Sequence, residues 1–403
     1  MDIRKLLLSF YQHALGICNG ESCVRKYISD TSLNKTYYTI AIGKAACDMM
    51  HGAAAVTRKG LVITRHGYAQ DSFSNNDNIQ VIESGHPVPD ENSLIAGNSL
   101  LEFITLIPQD AECLFLLSGG ASALVEVLPD GVDINKLERL NNWLIGSGLD
   151  IRQVNIIRKQ VSCIKGGRLA KYFDNRKVTQ LIISDVIGDQ LDAIGSGLLV
   201  ANEQSLAPLD IPDWIQDLMT KAPPLPRMDD TSFRSVSTVV LANNQTAINS
   251  LKEKALSVGI DAFINTEPLV DDIKIVSERL GQYIKTAQPG LHVFGGEPVV
   301  NLPKKHGRGG RMQTLAVLLA QLIKNRDDVS VLCGATDGSD GNSEDAGAIV
   351  DGHTIERAEI EGFDPEQSVL KADCGSLLEA SGDLIQTGPT GTNVNDLVIV
   401  IKK

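Results

Sequence analysis

The chain has 403 residues, enough for two domains that each bury a core. Hydrophobic residues make up 43% and charged residues 22%, the balance of an ordinary globular protein. A net charge of −13 argues against nucleic acid or an anionic membrane as the main partner, since both reward a basic footprint, but leaves room for an anionic small molecule in a locally basic pocket.

The sequence opens with MDIRKLLLSFYQHAL, whose apolar run is too short for a signal peptide and whose spacing predicts an amphipathic helix. Short apolar runs follow: YYTIAIG (37–43), LVIT (61–64), IQVIES (79–84), CLFLLSGG (113–120), QLIISD (180–185), STVVLANN (237–244), LHVFGG (291–296), VSVLCGA (329–335) and DLVIVIK (396–402). They are β-rich and mostly uninterrupted by polar residues, as strands covered on both faces are. Helical patterns lie between several of them: KAACDMMHGAA, ENSLIAGNSLLEFITLI, NQTAINSLKEKALSVG and RMQTLAVLLAQLIK. The alternation predicts an α/β fold with parallel pairing and right-handed crossovers. The proline- and charge-rich stretch 207–233 and TAQPG (286–290) are the candidate linkers. No run approaches the roughly 18 apolar residues of a membrane span. The 7 cysteines are scattered, with no C-x-x-C pair. Cys47, Cys113, Cys163 and Cys333 read as small buried hydrophobes, and a reducing compartment, the cytoplasm, is expected.

Six of the apolar runs lead directly into loops of small and polar residues: IGK (42–44), SGGAS (118–122), SDVIGD (184–189), ANNQT (242–246), GGEP (295–298) and GATDGSDG (334–341). Parallel sheets bind ligands outside the carboxyl ends of their strands, and glycine lets backbone N–H groups approach an anion. Tight βα turns need glycine too, but six such loops in one chain favour a ligand site. The phosphate loop G-x-x-x-x-G-K-[ST] is absent, because Tyr38 and Ala45 occupy two of its positions. No G-x-G-x-x-G follows a strand, which speaks against a nicotinamide enzyme.

Individual residues then stand out. Lys44 falls where a helix opens, against the dipole, which suggests a point charge held for a phosphate oxygen, with a solvated lysine as the rival. Ser118, Gly119, Gly120 and Ser122 offer N–H groups and hydroxyls suited to an anion, with a plain tight turn as the rival. In RKQVSCIKGGR (158–168), Lys165, Gly166 and Gly167 form a candidate anion site, whereas Arg158 and Lys159 alone read equally well as a solvated face. Asp185 and Asp189, four apart on a turn, suit Mg²⁺ or a base for a hydroxyl, with helix capping as the rival. Arg311 enters a helix after KKHGRGG and opposes its dipole, so it is a candidate carboxylate or phosphate clamp, whereas Lys304 and Lys305 read as solvated. ATDGSDGNSEDAG fails the calcium-loop spacing at Ala348, which leaves Asp337 and Asp340 as a Mg²⁺ or ribose-hydroxyl site, with a plain surface turn as the rival. His86, before two prolines and a helix start, reads as structural.

These segments together resemble the glycerate 2-kinase family, whose C-terminal half is called the MOFRL domain. The matching stretches are AIGKAA (41–46), ESGHPVPDENSL (83–94), LFLLSGGASALVEV (114–127), NIIRKQVSCIKGGRLA (155–170), ISDVIGDQLDAIGSG (183–197), GGEPVV (295–300), GRGGRMQTLAV (307–317), ATDGSDGNSEDAGAIVDG (335–352) and TGPTGTNVNDL (387–397). The resemblance implies phosphorylation of D-glycerate by ATP, with Mg²⁺, to 2-phosphoglycerate. It implies two α/β domains, the first Rossmann-like with a mostly parallel sheet and helices on both faces, the second smaller, with the site in the cleft between them. The division expected is an N-terminal helical segment over 1–35, a first domain over 36–270 whose end could fall as early as 235, and a second over 271–403. The family's GKAA lysine falls on Lys44 and its GGRNQE arginine on Arg311. Met312 and Thr314 replace the usual asparagine and glutamate, Ile187 a proline, and Leu198 stands where SGP is common.

The expected catalytic set is Lys44, Arg311 and Asp189, the last accepting the hydroxyl proton. The expected nucleotide or substrate contacts are Ser118, Gly119, Gly120, Ser122, Lys165, Gly166, Gly167, Asn243, Gly295, Gly296, Glu297, Gly309, Gly310, Gly338, Thr390, Gly391 and Asn393, with Asp185, Asp337 and Asp340 on the metal. The partner is a small hydroxy acid, a homodimer is left open, and the rival functions are a hydroxypyruvate reductase and a non-catalytic binder of phosphorylated metabolites.

Overall fold

The computed structural model describes residues 2–31, 33, 35–73, 76–149, 151–202, 210–303 and 305–403. Lys304 and positions 207–209 of the expected linker lie outside them. The chain forms two compact units, Gly20–Leu241 and Ala242–Lys403, the second completed by the N-terminal residues up to Asn19. The contacts thus divide the chain elsewhere than the sequence reading does: the expected N-terminal segment is shared, with helix Ile3–Cys18 in the second unit and helix Gly20–Asp30 in the first, and residues 242–270 pack with the second unit.

The first unit is built on β1 (Tyr37–Ile42), β2 (Thr57–Arg65), β3 (Ile79–Ser84), β4 (Cys113–Leu117), β5 (Val178–Ile183) and β6 (Val236–Ala242), in the order β3-β2-β1-β4-β5-β6. Parallel pairings join β3, β2, β1, β4 and β5, with β6 at the edge. Every residue of β1 and β4 is buried, which is why these strands read as unbroken apolar runs. Ile40, Ile63, Phe115 and Ile182 pack against Ala96, Leu100 and Ile104 of helix Glu91–Thr105. That helix starts at Asp90, whose carboxylate takes the Ser93 N–H while the Ser93 hydroxyl takes the Asp90 N–H. A separate small core, with Leu140, Ile157 and Ile215, joins helices Ile134–Gly146, Ile151–Gln160 and Asp213–Lys221. The order reverses between β1 and β4, so the crevice at their carboxyl ends is the place where an open α/β sheet binds its ligand.

The second unit holds β7 (Ala262–Ile264), β8 (Gly290–Gly296), β9 (Val329–Ala335), β10 (Gly347–Asp351), β11 (Leu384–Ile385) and β12 (Asp396–Lys402), in the order β11-β10-β9-β12-β8-β7. Only β7 and β8 pair in parallel; β12 runs antiparallel to both β8 and β9, and β10 to β9 and β11. The parallel pairing read from the strand–helix alternation describes the first sheet, whereas the second is mostly antiparallel. The reason is topological: β12 enters the sheet from the loop 386–395, not from a crossover helix, and hairpin-like returns give antiparallel neighbours. Helix Arg311–Leu322 is the hub of this core, with Leu315, Ala316 and Leu319 fully buried. Helix Ile3–Cys18 seals the sheet with Leu7, Phe10 and Tyr11. Cys47, Cys113 and Cys333 are buried thiols as expected, while Cys163 is half-buried.

Candidate active site

In the first unit the register sets Ile42 beside Leu117 and Leu117 beside Ile182, so the loops after β1, β4 and β5 leave one edge of the sheet together. The β1 loop is tied to the β4 loop. The Lys44 N–H donates to the Gly119 carbonyl at 3.0 Å, and the Ala45 N–H to the Ser118 hydroxyl at 3.0 Å. Gly43 has φ +130, and a Cβ there would run into Ser118, so only glycine allows this approach. Ser118 is therefore a structural tie. Lys44, half-buried, lies two residues ahead of helix Ala46–Ala53 rather than in its first turn.

Beyond Ser118 the chain turns at Gly120 (φ +87) into the short helix Ala121–Leu124. The N–H groups of Gly119, Gly120, Ala121 and Ser122 have no hydrogen-bond acceptor among the described residues. The Ser122 hydroxyl pairs with that of Ser196 at 2.7 Å. A Cβ on Gly120 would meet the His86 ring at 2.9 Å and the Lys44 side chain at 3.4 Å, so lysine, imidazole and unpaired amides meet where the strand order reverses. Adjoining them is a pocket of about 220 Å³, lined by His86, Ser122, Glu126, Asn141, Arg158 and Lys165 among others. Its floor is a buried network: Lys165 Nζ to Glu126 Oε2 at 2.5 Å, and Ser162 Oγ to Glu126 Oε1 at 2.5 Å. Arg158 has no ion pair or hydrogen bond among the described residues, and burial pushes its guanidinium below its ordinary value despite Glu126 nearby. Asn141, 6% exposed, carries a buried Nδ2 without a partner. Each unpaired buried donor costs about 1–3 kcal/mol unless something else accepts from it.

In the second unit Asp396 faces Gly296 on one side and Ala335 on the other, so the loops after β8 and β9 and before β12 share one sheet edge. Helix Arg311–Leu322 starts there. Asp340 caps it, accepting from the Met312 N–H at 3.2 Å and the Gln313 N–H at 2.7 Å. Arg311 forks onto Asp396, with Nε to Oδ2 at 2.5 Å and Nη2 to Oδ1 at 3.2 Å, and reaches Glu297 at 2.9 Å. The misfit noted in the sequence, an arginine at the positive end of a helix, is thus offset by the carboxylates of Asp396 and Glu297. Burial outweighs the pull of Arg311 and leaves the Asp396 carboxyl raised to about 7, while the carboxylates hold Arg311 above its ordinary value in spite of its own burial. The forked contact favours the ionised pair. Asp340, wholly enclosed, is pushed up to about 6, chiefly by burial.

The family models matched are a domain of unknown function (DUF4147) over residues 6–218 and the MOFRL family over residues 290–396. The D-glycerate 2-kinase of Thermotoga maritima is 32% identical, covering 99% of this chain and 98% of its own length. A crystal structure of a glycerate kinase from the same organism is similar with a TM-score of 0.84 at 30% identity, covering 100% of this chain and 99% of that one. The chain belongs to the glycerate 2-kinase family. A protein of Agrobacterium vitis with a provisional hydroxypyruvate reductase name is also 30% identical, over 90% of this chain and 86% of its own.

Other residues that the glycerate 2-kinase resemblance singled out have structural work in the fold. Gly166 and Gly167 take φ +63 and +86, but their N–H groups donate to the carbonyls of Ser196 and Gly197, so these amides form no anion cradle. Lys165 does line the pocket, paired with Glu126. Asn243 caps helix Asn244–Ser257 through the Thr246 N–H at 2.9 Å. Gly295 packs on the Asn244 side chain, and Gly296 (φ +148) on the Leu269 backbone. Glu297 holds Arg311 and accepts from Asn395 Nδ2 at 3.0 Å. Gly309 packs against Gly375, Gly310 against Asp340, and Gly338 against Gly388. The Thr390 hydroxyl donates to the Thr336 carbonyl at 2.5 Å, Gly391 turns with φ +70, and Asn393 is buried. Both oxygens of Asp340 serve the helix cap, a role the metal expectation did not foresee. Asp337 is 7% exposed; Asp185 and Asp189 are half-buried on the turn after β5, Asp189 with φ +51.

Met312 is fully enclosed in the second core, and the Thr314 hydroxyl donates to the Gly310 carbonyl at 2.8 Å. These two departures from the family pattern, at Met312 and Thr314, therefore sit inside the protein and give no support to a binder that lost its chemistry. Sequence reasoning missed Asp396, Glu126 and Asn141 and set aside His86 and Arg158. The one local signal was the acidic residue opening the strand DLVIVIK, since a carboxylate at the head of a buried strand needs a cation.

Proposed function

We propose that this chain is a glycerate 2-kinase that transfers a phosphoryl group from ATP to the 2-hydroxyl of D-glycerate. The observation that carries the reading is the unpaired N–H row at 119–122 beside Lys44 and His86, at the strand-order reversal of a parallel sheet. Amides aimed at an anion, with a lysine as point charge, suit a phosphate chain, and phosphoryl transfer needs mainly positioning and charge stabilisation. Lys44 neutralises the phosphate oxygens. Arg311, its orientation fixed by Asp396 and Glu297, is the candidate charge-stabilising group of the second unit. Asp189 accepts the hydroxyl proton.

Among the described residues no group of three or more His, Cys, Asp or Glu side chains is arranged to hold a metal ion. Mg²⁺ that arrives with a nucleotide is held by one or two carboxylates and the phosphates, and so needs no such group. Asp185 in the first unit and Asp337 in the second are separate candidates for holding it, and bound Mg²⁺ would neutralise charge developing on the phosphates. Among the described residues no helix is long and apolar enough to cross a membrane. A cytoplasmic enzyme is the proposal, and a homodimer is compatible with it.

The purified protein, given D-glycerate, ATP and Mg²⁺, is expected to release ADP and a product with phosphorus at the 2-position by NMR. The reductase reading draws on the name of the Agrobacterium vitis relative. Oxidation of NADH with hydroxypyruvate, together with no ADP from glycerate, would replace the kinase reading with it.

A further inference from the structure

Two donors in the pocket of the first unit are held in place by packing, without polar partners. Arg158 stands on helix Ile151–Gln160 and Asn141 on helix Ile134–Gly146, both anchored by the small core of Leu140, Ile157 and Ile215. Arg158 is half-buried and has no ion pair among the described residues; the Asn141 carboxamide, nine-tenths buried, has no hydrogen bond there either. The remaining charges on the wall are Lys165 and Glu126, which cancel as a 2.5 Å pair, so Arg158 leaves the pocket with one surplus positive charge. A guanidinium fork beside a carboxamide donor matches a carboxylate, which has two oxygens in one plane. The pocket volume of about 220 Å³ is below the roughly 300–1,000 Å³ of sites for drug-sized ligands, so it has room for a short acid and not for a whole nucleotide.

We propose that this pocket binds the carboxylate of the hydroxy acid, with Arg158 and Asn141 as the donors that make the enzyme specific for an acid; the identity of that acid rests on the glycerate kinase reading. A phosphate of the nucleotide shares the oxyanion chemistry, and the kinetics separate the two sources.

Arg158→Ala is expected to raise KM for D-glycerate on the order of 10–100-fold, the weight of a charge-assisted hydrogen bond, with KM for ATP unchanged. Arg158→Lys keeps the charge without the fork and should recover part of that loss. Asn141→Ala should raise KM for glycerate roughly 2–10-fold. Glycerol, which lacks the carboxylate, should be a poor acceptor whose use falls little in Arg158→Ala. A rise in KM for ATP alone, or no change in either constant, overturns the proposal. If melting curves show Arg158→Ala misfolded, Arg158→Lys and Asn141→Ala carry the test. Calorimetric titration with D-glycerate, without nucleotide, tests the pocket apart from turnover. A wild-type protein that binds the acid but does not phosphorylate it sinks the kinase reading alone, and one that binds no short hydroxy acid sinks the pocket.

Discussion

Arg158 of the first unit and Arg311 of the second are held in opposite ways. In the first, the amides of 119–122 at the end of a parallel sheet and Arg158 in the adjoining pocket stand without acceptors among the described residues. In the second, Arg311 is closed in by Asp396 and Glu297, and the helix it begins is capped by Asp340. An unpaired donor is costly in the absence of ligand and has its full electrostatic strength for one; a paired donor costs less and is already aimed. The first unit therefore has the character of a binding surface, and the second that of a preorganised cluster whose parts hold one another.

The largest effect that could break this contrast lies at Arg311. Arg311→Ala should lower turnover on the order of 1,000-fold, as loss of a charge-stabilising donor does, and also destabilise the fold by about 3–5 kcal/mol, because Asp396 is left buried and unpaired. Urea unfolding beside steady-state kinetics reads both. The double variant Arg311→Ala with Asp396→Asn should regain most of the stability and none of the turnover. If the single variant is as stable as the wild type, the cluster does not hold itself together and the contrast between the units fails.

Lys44 tests the other half. Lys44→Met should reduce kcat/KM on the order of 100–1,000-fold, the worth of one group that stabilises transition-state charge, with a smaller loss of stability than Arg311→Ala causes. A melting loss as large as that of Arg311→Ala would show that the lysine is structural and would make the two units alike.

How much of this was legible depended on the range of the interaction. β1, β4 and β5 were plain because a doubly covered strand must be apolar at every position, and the loops that follow them were readable as glycine-rich ends. β7, β10 and β11 were not, since β7 and β11 span only three and two residues and β10 follows a glycine- and acid-rich loop that draws the eye to its turns. The antiparallel place of β12 depends on which strands it pairs with across the sheet, and nothing in DLVIVIK encodes that. Arg311 was found from its own neighbours, but its fork partner lies 85 residues away. Gly166 and Gly167 show the converse: the sequence offers bare amides, and only the fold reveals that Ser196 and Gly197 accept from them. Arg158 was equally readable as solvated until the packing of its helix set it against the pocket.

The smallest expected effect refines the account of the second cluster through its pH dependence. Burial raises the folded-state value of Asp340 to about 6 from an ordinary 3.8, so the folded protein binds this proton more tightly than the unfolded chain does. The stability that Asp340 contributes is then fully present below about 4 and is lost as pH rises through about 6, with a size on the order of 1–3 kcal/mol. Asp340→Asn cannot titrate, so the urea midpoint of the wild type, relative to that of the variant, should fall between pH 4 and 7 and level off above. The variant also keeps a carboxamide oxygen for one of the two N–H groups it caps, so the helix start should persist. A difference that rises with pH over the same window would mean that the amides and Arg311 outweigh burial at Asp340. This carboxylate would then be held ionised like the pair beside it, and the cluster would be fully charged near neutral pH.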